Sequence, residues 1–421
     1  MPYFPGETAV HPPLRLVVAD HVAGSVTVLE PDGGTVVRLT GRHLSEHAGL
    51  LRLPGDRLAL VDDRAGELVV LDVFGDTAGR PAVSATVPVA VPAEQLAADP
   101  AGRRLAVTTG LGANAEPWSD VCTVVDLEAP GGAAAVRFRT RAGEPGVTLP
   151  GSGDPLVVLR HREPGFFESY RFSDLLATAP GCPPAEPLER LALPDDGHGD
   201  AHDPAGGLLF AATGEGVHRA RPEGSALRPE PPLSWDASGR TGGRGYFLRL
   251  DTRHRVLWSC LRGGPTDPGQ WPLWTNDAWW HRLDTGETGR LEIGPGLVFR
   301  MGLAARHAAF ARCHPDGDEL VLVSTDLGTP AVSARLPLPA MDGAPRRGGT
   351  PWDGVQRRAV AASPAASLVA VTRGGHGEIQ LFDAGTATVT GLLRLPTPLD
   401  EGGRLAVVAQ GDDGHLDPAG R

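Results

Sequence analysis

Asp99-Pro-Ala-Gly-Arg-Arg-Leu-Ala-Val-Thr-Thr-Gly110 and Asp203-Pro-Ala-Gly-Gly-Leu-Leu-Phe-Ala-Ala-Thr-Gly214 are two copies of one pattern: a tight turn, an apolar run and a second turn opened by Thr-Gly. Ser363-Pro-Ala-Ala-Ser-Leu-Val-Ala-Val-Thr372 repeats it closely. The same apolar run between turns recurs at Leu16–Asp20, Leu58–Asp62, Leu105–Thr109, Leu156–Arg160, Leu208–Thr213, Val256–Cys260, once within His307–Val323, and at Leu368–Thr372. Self-similarity at a period of about fifty residues marks a propeller or a solenoid.

Working outward from those runs, alternating stretches such as Glu67-Leu-Val-Val-Leu-Asp72, Val121-Cys-Thr-Val-Val-Asp126 and Glu378-Ile-Gln-Leu-Phe-Asp383 have the period of half-buried strands. The chain carries 56 Gly and 40 Pro among 421 residues, dense turn chemistry, while 41% hydrophobic residues suffice for a core. We therefore expect an all-β chain, residues 1–421, forming one β-propeller of four-stranded antiparallel blades. Inner strands are expected at Gly49–Leu53 and near Gln95, Gly146, Gly199, Gly245, Met301 and Arg358. Either Met301–Ala304 or His307–Cys313 serves as the inner strand of its repeat. The first repeat, 10–41, lacks an inner strand, and 403–410 can supply it, closing the ring and removing two exposed sheet edges. That gives eight blades, or seven if one segment is an insertion. Residues 411–421 are expected to form a flexible tail.

The repeat form resembles the β-propeller superfamily, and within it the bacterial propellers with Tyr-Val-Thr-Asn-type repeats. Trp235-Asp236 and Trp352-Asp353 do not fall at third-strand ends, so a WD-type scaffold is disfavoured. The opening Val18-Ala-Asp-His-Val-Ala-Gly-Ser-Val-Thr-Val-Leu29 and His198-Gly199 are faintly similar to propeller zinc metallochaperones, a resemblance that implies metal carriage.

Several partners and chemistries are disfavoured. A net charge of -12 with a pI near 5.6 opposes nucleic acid and anionic membranes as partners. No apolar run reaches the ~18 residues of a membrane span, and Met1-Pro-Tyr-Phe-Pro-Gly6 does not read as a signal peptide, so a cytoplasmic location is expected. Cys122, Cys182, Cys260 and Cys313 have no Cys-x-x-Cys spacing; Cys122 and Cys260 read as core residues. There is no Gly-x-Ser-x-Gly elbow, phosphate-binding Gly-rich loop or His-Glu-x-x-His.

In a propeller, the residues leading into the inner strands converge on one mouth of the channel. In order these are His47 beside Glu46, Glu94, Glu144, His198, Arg244, Arg300, Arg357 beside Arg358, and Arg404. One arc offers imidazole and carboxylate, the other guanidinium. His47, His198, Glu94 and Glu144 form a candidate site for a divalent metal, Zn, Fe or Mn. Arg244, Arg300, Arg357 and Arg404 form a candidate clamp for a small anionic or zwitterionic ligand. His198, Asp200 and His202 share one side of a strand by its period of two. His202, Glu94 and Glu144 are the candidate acid–base groups. The insertion 263–276 carries Trp271 and Trp274 as candidate ligand-binding aromatics, with Trp279 and Trp280 read as packing. The expected function is small-molecule binding in the channel, with conversion by a lyase, hydrolase or oxidoreductase reaction; the alternative is a metal carrier or a protein-interaction propeller.

Overall fold

In the computed structural model, which describes residues 12–75, 79–110, 120–141, 145–325, 328–352, 354–412 and 418–419, eight antiparallel sheets follow one another around a ring. Seven of the inner strands are Leu50–Leu53, Ala93–Ala98, Gly146–Thr148, Asp200–Asp203, the split pair Arg244–Gly245 and Arg249–Asp251, Leu297–Ala304 and Val360–Ala362, in blades 2 to 8. In blade 7 Leu297–Ala304 is the inner strand and His307–Cys313 pairs behind it, which resolves the ambiguity of that repeat.

Blade 1 is assembled from both ends of the chain. Arg404–Ala409 pairs antiparallel with Leu14–Asp20, Leu16 lying opposite Val407 and Val18 opposite Leu405. Ser25–Leu29 and Thr35–Thr40 complete the sheet. The chain then turns at Gly411, and the backbone of Pro418–Ala419 pairs with Leu51 and Leu50 on the inner edge of blade 2, the edge that faces the channel.

Packing between blades explains why the repeated runs are apolar on both faces. In the second strand of blade 5, Leu209 and Ala211 pack against blade 4 beside Val158 and Phe167, whereas Phe210 and Ala212 pack against blade 6 beside Leu257 and Trp279. Blade 1 does the same, with Val17 turned toward blade 2 and Leu16 and Val18 toward blade 8. Each fully buried Val, Leu or Phe contributes about 1.5–3 kcal/mol, so these seams hold the ring together. Outer strands such as Ala82–Pro88 and Thr388–Arg394 are mostly exposed.

Cys122 and Cys260 are buried in seams, as are Trp279 and Trp280. The 263–276 insertion contains a 3-10 helix, Pro268–Leu273, whose first turn is capped by Asp267 accepting from the Gly269 N–H.

Candidate functional site at the channel mouth

Because every inner strand starts at the same face, the residues leading into these strands ring one end of the channel. They open on a cavity of about 600 Å³, lined by Glu46, His47, Glu94, His198, His202, Arg300, Arg357 and Arg404, with Tyr246, Arg262, Trp352 and Glu401 added to the sequence-derived set. Glu144 lies outside the described residues. Arg244, Trp271 and Trp274 do not line this cavity among the described residues.

Glu94 reaches the mouth through a strand irregularity. The pairing with the next strand shifts between Ala93 and Gln95, which leaves Glu94 outside the ladder. Its side chain crosses Gly110, where a Cβ would sit 2.5 Å from Glu94 Oε2. The pattern recurs at Gly214, whose N–H donates to Asp196 Oδ2 and where a Cβ would lie 2.4 Å from that oxygen. The glycine that ends the repeated stretch thus makes room for an acid leading into the inner strand.

His47 Nδ1 lies 2.8 Å from Glu94 Oε2, across the seam between blades 2 and 3. This hydrogen bond is the main reason the His47 pKa is raised, against an opposing effect of burial. His198 Nδ1 lies 2.8 Å from the Tyr246 carbonyl oxygen, which only accepts, so the neutral ring carries its proton on Nδ1 and its lone pair on Nε2. The backbone around His198 is anchored from behind by buried Arg160, which donates to the carbonyls of Gly197 at 2.9 Å and His198 at 2.8 Å. Asp200 Oδ1 is 3.6 Å from Arg160 Nε. His202 lies further along the same strand, and burial pulls its pKa down to about 4, so it is neutral at pH 7.

Across the channel, Arg404 is 5% exposed. Its Nη1 donates to the Gly403 carbonyl and its Nη2 to the Glu46 carbonyl, while its Nε has no partner. Among the described residues no carboxylate forms an ion pair with it. Burial pulls its pKa down to about 10, an effect opposed by the Glu46 and Glu401 carboxylates and reinforced by Arg357. Arg357 donates to the Trp352 carbonyl, lies 3.8 Å from Glu401 Oε2, and likewise has an unpartnered Nε. Arg358 also lines the cavity, but its Nε is engaged by Asp318 Oδ2, 2.8 Å away.

Arg244 is drawn aside by Asp196, 3.1 Å from its Oδ2, and covers the Tyr246 ring. The opposite face of the aromatic wall is built by Arg262, whose guanidinium lies 4.1 Å from the Tyr246 centroid and 4.3 Å from that of Trp274. Trp274 stacks on Trp352 at 5.9 Å, and Trp271 packs in the same cluster with Leu297, Cys313 and Met341. The tryptophans of the insertion therefore support the mouth from behind, and Trp352 is the one that reaches the cavity. Sequence reading missed Arg262 and Trp352 because their role comes from loops of different blades meeting.

Among the described residues no three His, Cys, Asp or Glu side chains gather closely enough to hold a metal ion. Glu94 is engaged by His47 Nδ1, so it orients that ring in the way an outer carboxylate does.

No protein-family model and no curated protein matches the chain. Among solved structures, apo AztD from Citrobacter koseri is 14% identical over 94% of this chain and 98% of its own, with a TM-score of 0.66. A second Citrobacter koseri AztD structure gives a TM-score of 0.65 at the same identity and coverage. The dihydro-heme d1 dehydrogenase NirN in complex with DHE is 16% identical, covering 99% of this chain and 79% of its own, with a TM-score of 0.59. At such identities the likeness is one of fold. The chain is an eight-bladed β-propeller with a charged cavity at one end of its channel.

Proposed function

We propose that this propeller binds a small anionic or zwitterionic molecule at its channel mouth. Arg404 carries the reading: its guanidinium lines the cavity, is 5% exposed, forms no contact ion pair among the described residues and has an unpartnered Nε, with Glu46 and Glu401 acting on it only from a distance, so an anion would meet a desolvated positive charge. Arg357 stands on one side of it and the His47–Glu94 pair on the other, Arg404 donating to the carbonyl of Glu46, so a zwitterion would meet charge of each sign. Conversion of the bound molecule would draw on His202, which lines the cavity and is neutral at pH 7; Glu94 is hydrogen-bonded to His47. Fold likeness to a dihydro-heme d1 dehydrogenase in complex with DHE does not select the reaction.

The test is thermal denaturation of the full chain against a panel of small carboxylates, phosphates and amino acids. A bound ligand at a hundred times its Kd stabilises by about 2.7 kcal/mol. Arg404→Gln should remove the shift while remaining folded. No shift from any anion defeats the proposal. A second reading, a metal carrier, draws on His47, Glu94 and His198 lining one cavity. Elemental analysis of tag-free protein decides it: stoichiometric zinc, iron or manganese supports it and none sinks it.

A further inference from the structure

The charged mouth is only the upper part of the cavity. Below it the wall is formed by Leu51, Leu96, Val147, Leu149, Leu248 and Leu250, contributed by blades 2, 3, 4 and 6. Val147 lies one residue past Gly146, Leu96 two past Glu94 and Leu149 three past Gly146, which at ~3.3 Å per residue places this apolar belt roughly 3–10 Å below the strand entries. The cavity volume, about 600 Å³, is in the range of organic-ligand pockets and far exceeds what an inorganic ion or acetate fills. A ligand consisting of a charged head alone would leave the belt against water.

We propose that the ligand is amphipathic: an organic acid whose anionic head engages Arg404 and Arg357 while its apolar body descends along the leucine-rich belt. This rests on the anion-binding reading and adds the class of molecule to it. Burial of the body removes apolar surface from water, and the head answers the unpaired guanidinium. Arg262, held between Tyr246 and Trp274, braces the aromatic side of the same cavity.

Isothermal titration of the full chain with octanoate, acetate, inorganic phosphate and 1-octanol tests the assignment. Octanoate should bind once per chain and at least about tenfold more tightly than the other three, the worth of a few buried methylenes or of one charge-assisted contact. Arg404→Gln should weaken octanoate roughly ten- to hundredfold. Ala201→Phe, which fills the belt from blade 5, should weaken octanoate by a similar factor; Thr148→Trp repeats that test from blade 4 if the first variant melts early. If acetate or phosphate binds as tightly as octanoate, the amphipathic assignment falls while the anion site stands. Equal affinity for 1-octanol and octanoate overturns the role of the arginine head. Absence of binding by every anion overturns both the assignment and the reading beneath it.

Discussion

His47 and Glu94 belong to neighbouring blades, yet their side chains meet at 2.8 Å, so the seam between blades 2 and 3 is bridged by an ionisable pair at the channel mouth. The hydrogen bond to Glu94 raises the His47 pKa above its unfolded value. A raised folded pKa gives stability that is fully present below pH ~6.5 and is lost as pH rises through the folded value. Glu94→Gln should remove that component, lowering stability on the acid side while leaving the alkaline side little changed. Urea titrations across pH 5–9 check this, and identical pH profiles for the two proteins would argue against the pair.

His202 has the opposite sign. Its folded pKa, lowered to about 4 by burial, leaves the native state neutral where the unfolded chain takes a proton. Stability should therefore fall as pH drops from about 6.5 toward 4. His202→Gln should flatten that limb of the stability profile, and NMR titration of the His202 ring should show no protonation at pH 6.

Gly199 is required by a close approach between blades. A Cβ there would sit 2.6 Å from Phe247 Cα and 3.0 Å from Leu248 N, both backbone atoms that cannot swing away. Gly199→Ala should cost about 1–3 kcal/mol through overpacking and displace His198. Thermal unfolding gives the first effect, and weakened ligand binding gives the second; unchanged stability would count against the tight inner packing described.

Removal of residues 404–421 takes away the inner strand of blade 1. The three remaining strands are then left with an uncovered edge, and the seams of blade 1 toward blades 2 and 8 lose Ala406, Val408, Leu405 and Val407. The truncated chain should aggregate on size-exclusion chromatography and lose its cooperative melt. A circular permutant beginning at Arg404 should retain both.

The repeated runs and the incomplete first repeat made the ring legible in sequence, because strand period and turn chemistry are local properties. Those features also led to the residues before each inner strand, and the cavity gathers His47, Glu94, His198, Arg300, Arg357 and Arg404. What separates Arg404 from Arg244 is not local. Arg244 is captured by Asp196 from another blade, while Arg404 meets only carbonyls. The purpose of Gly110 was equally hidden, since it depends on the irregularity that swings Glu94 over it. Trp271 and Trp274 suggested ligand-binding aromatics by composition alone; their burial follows from packing with Met341 and Trp352, far along the chain.

The pairing of Arg404–Ala409 with Leu14–Asp20 has a bearing on biosynthesis. A nascent chain leaving the ribosome presents three strands of its first sheet long before the fourth has been translated. Those strands wait, unsatisfied along one side, while the other seven sheets emerge in turn. Circularisation is thus a late event, deferred until translation has passed Ala409, and the interval is when chaperone capture or entanglement with a neighbouring nascent chain would be most damaging.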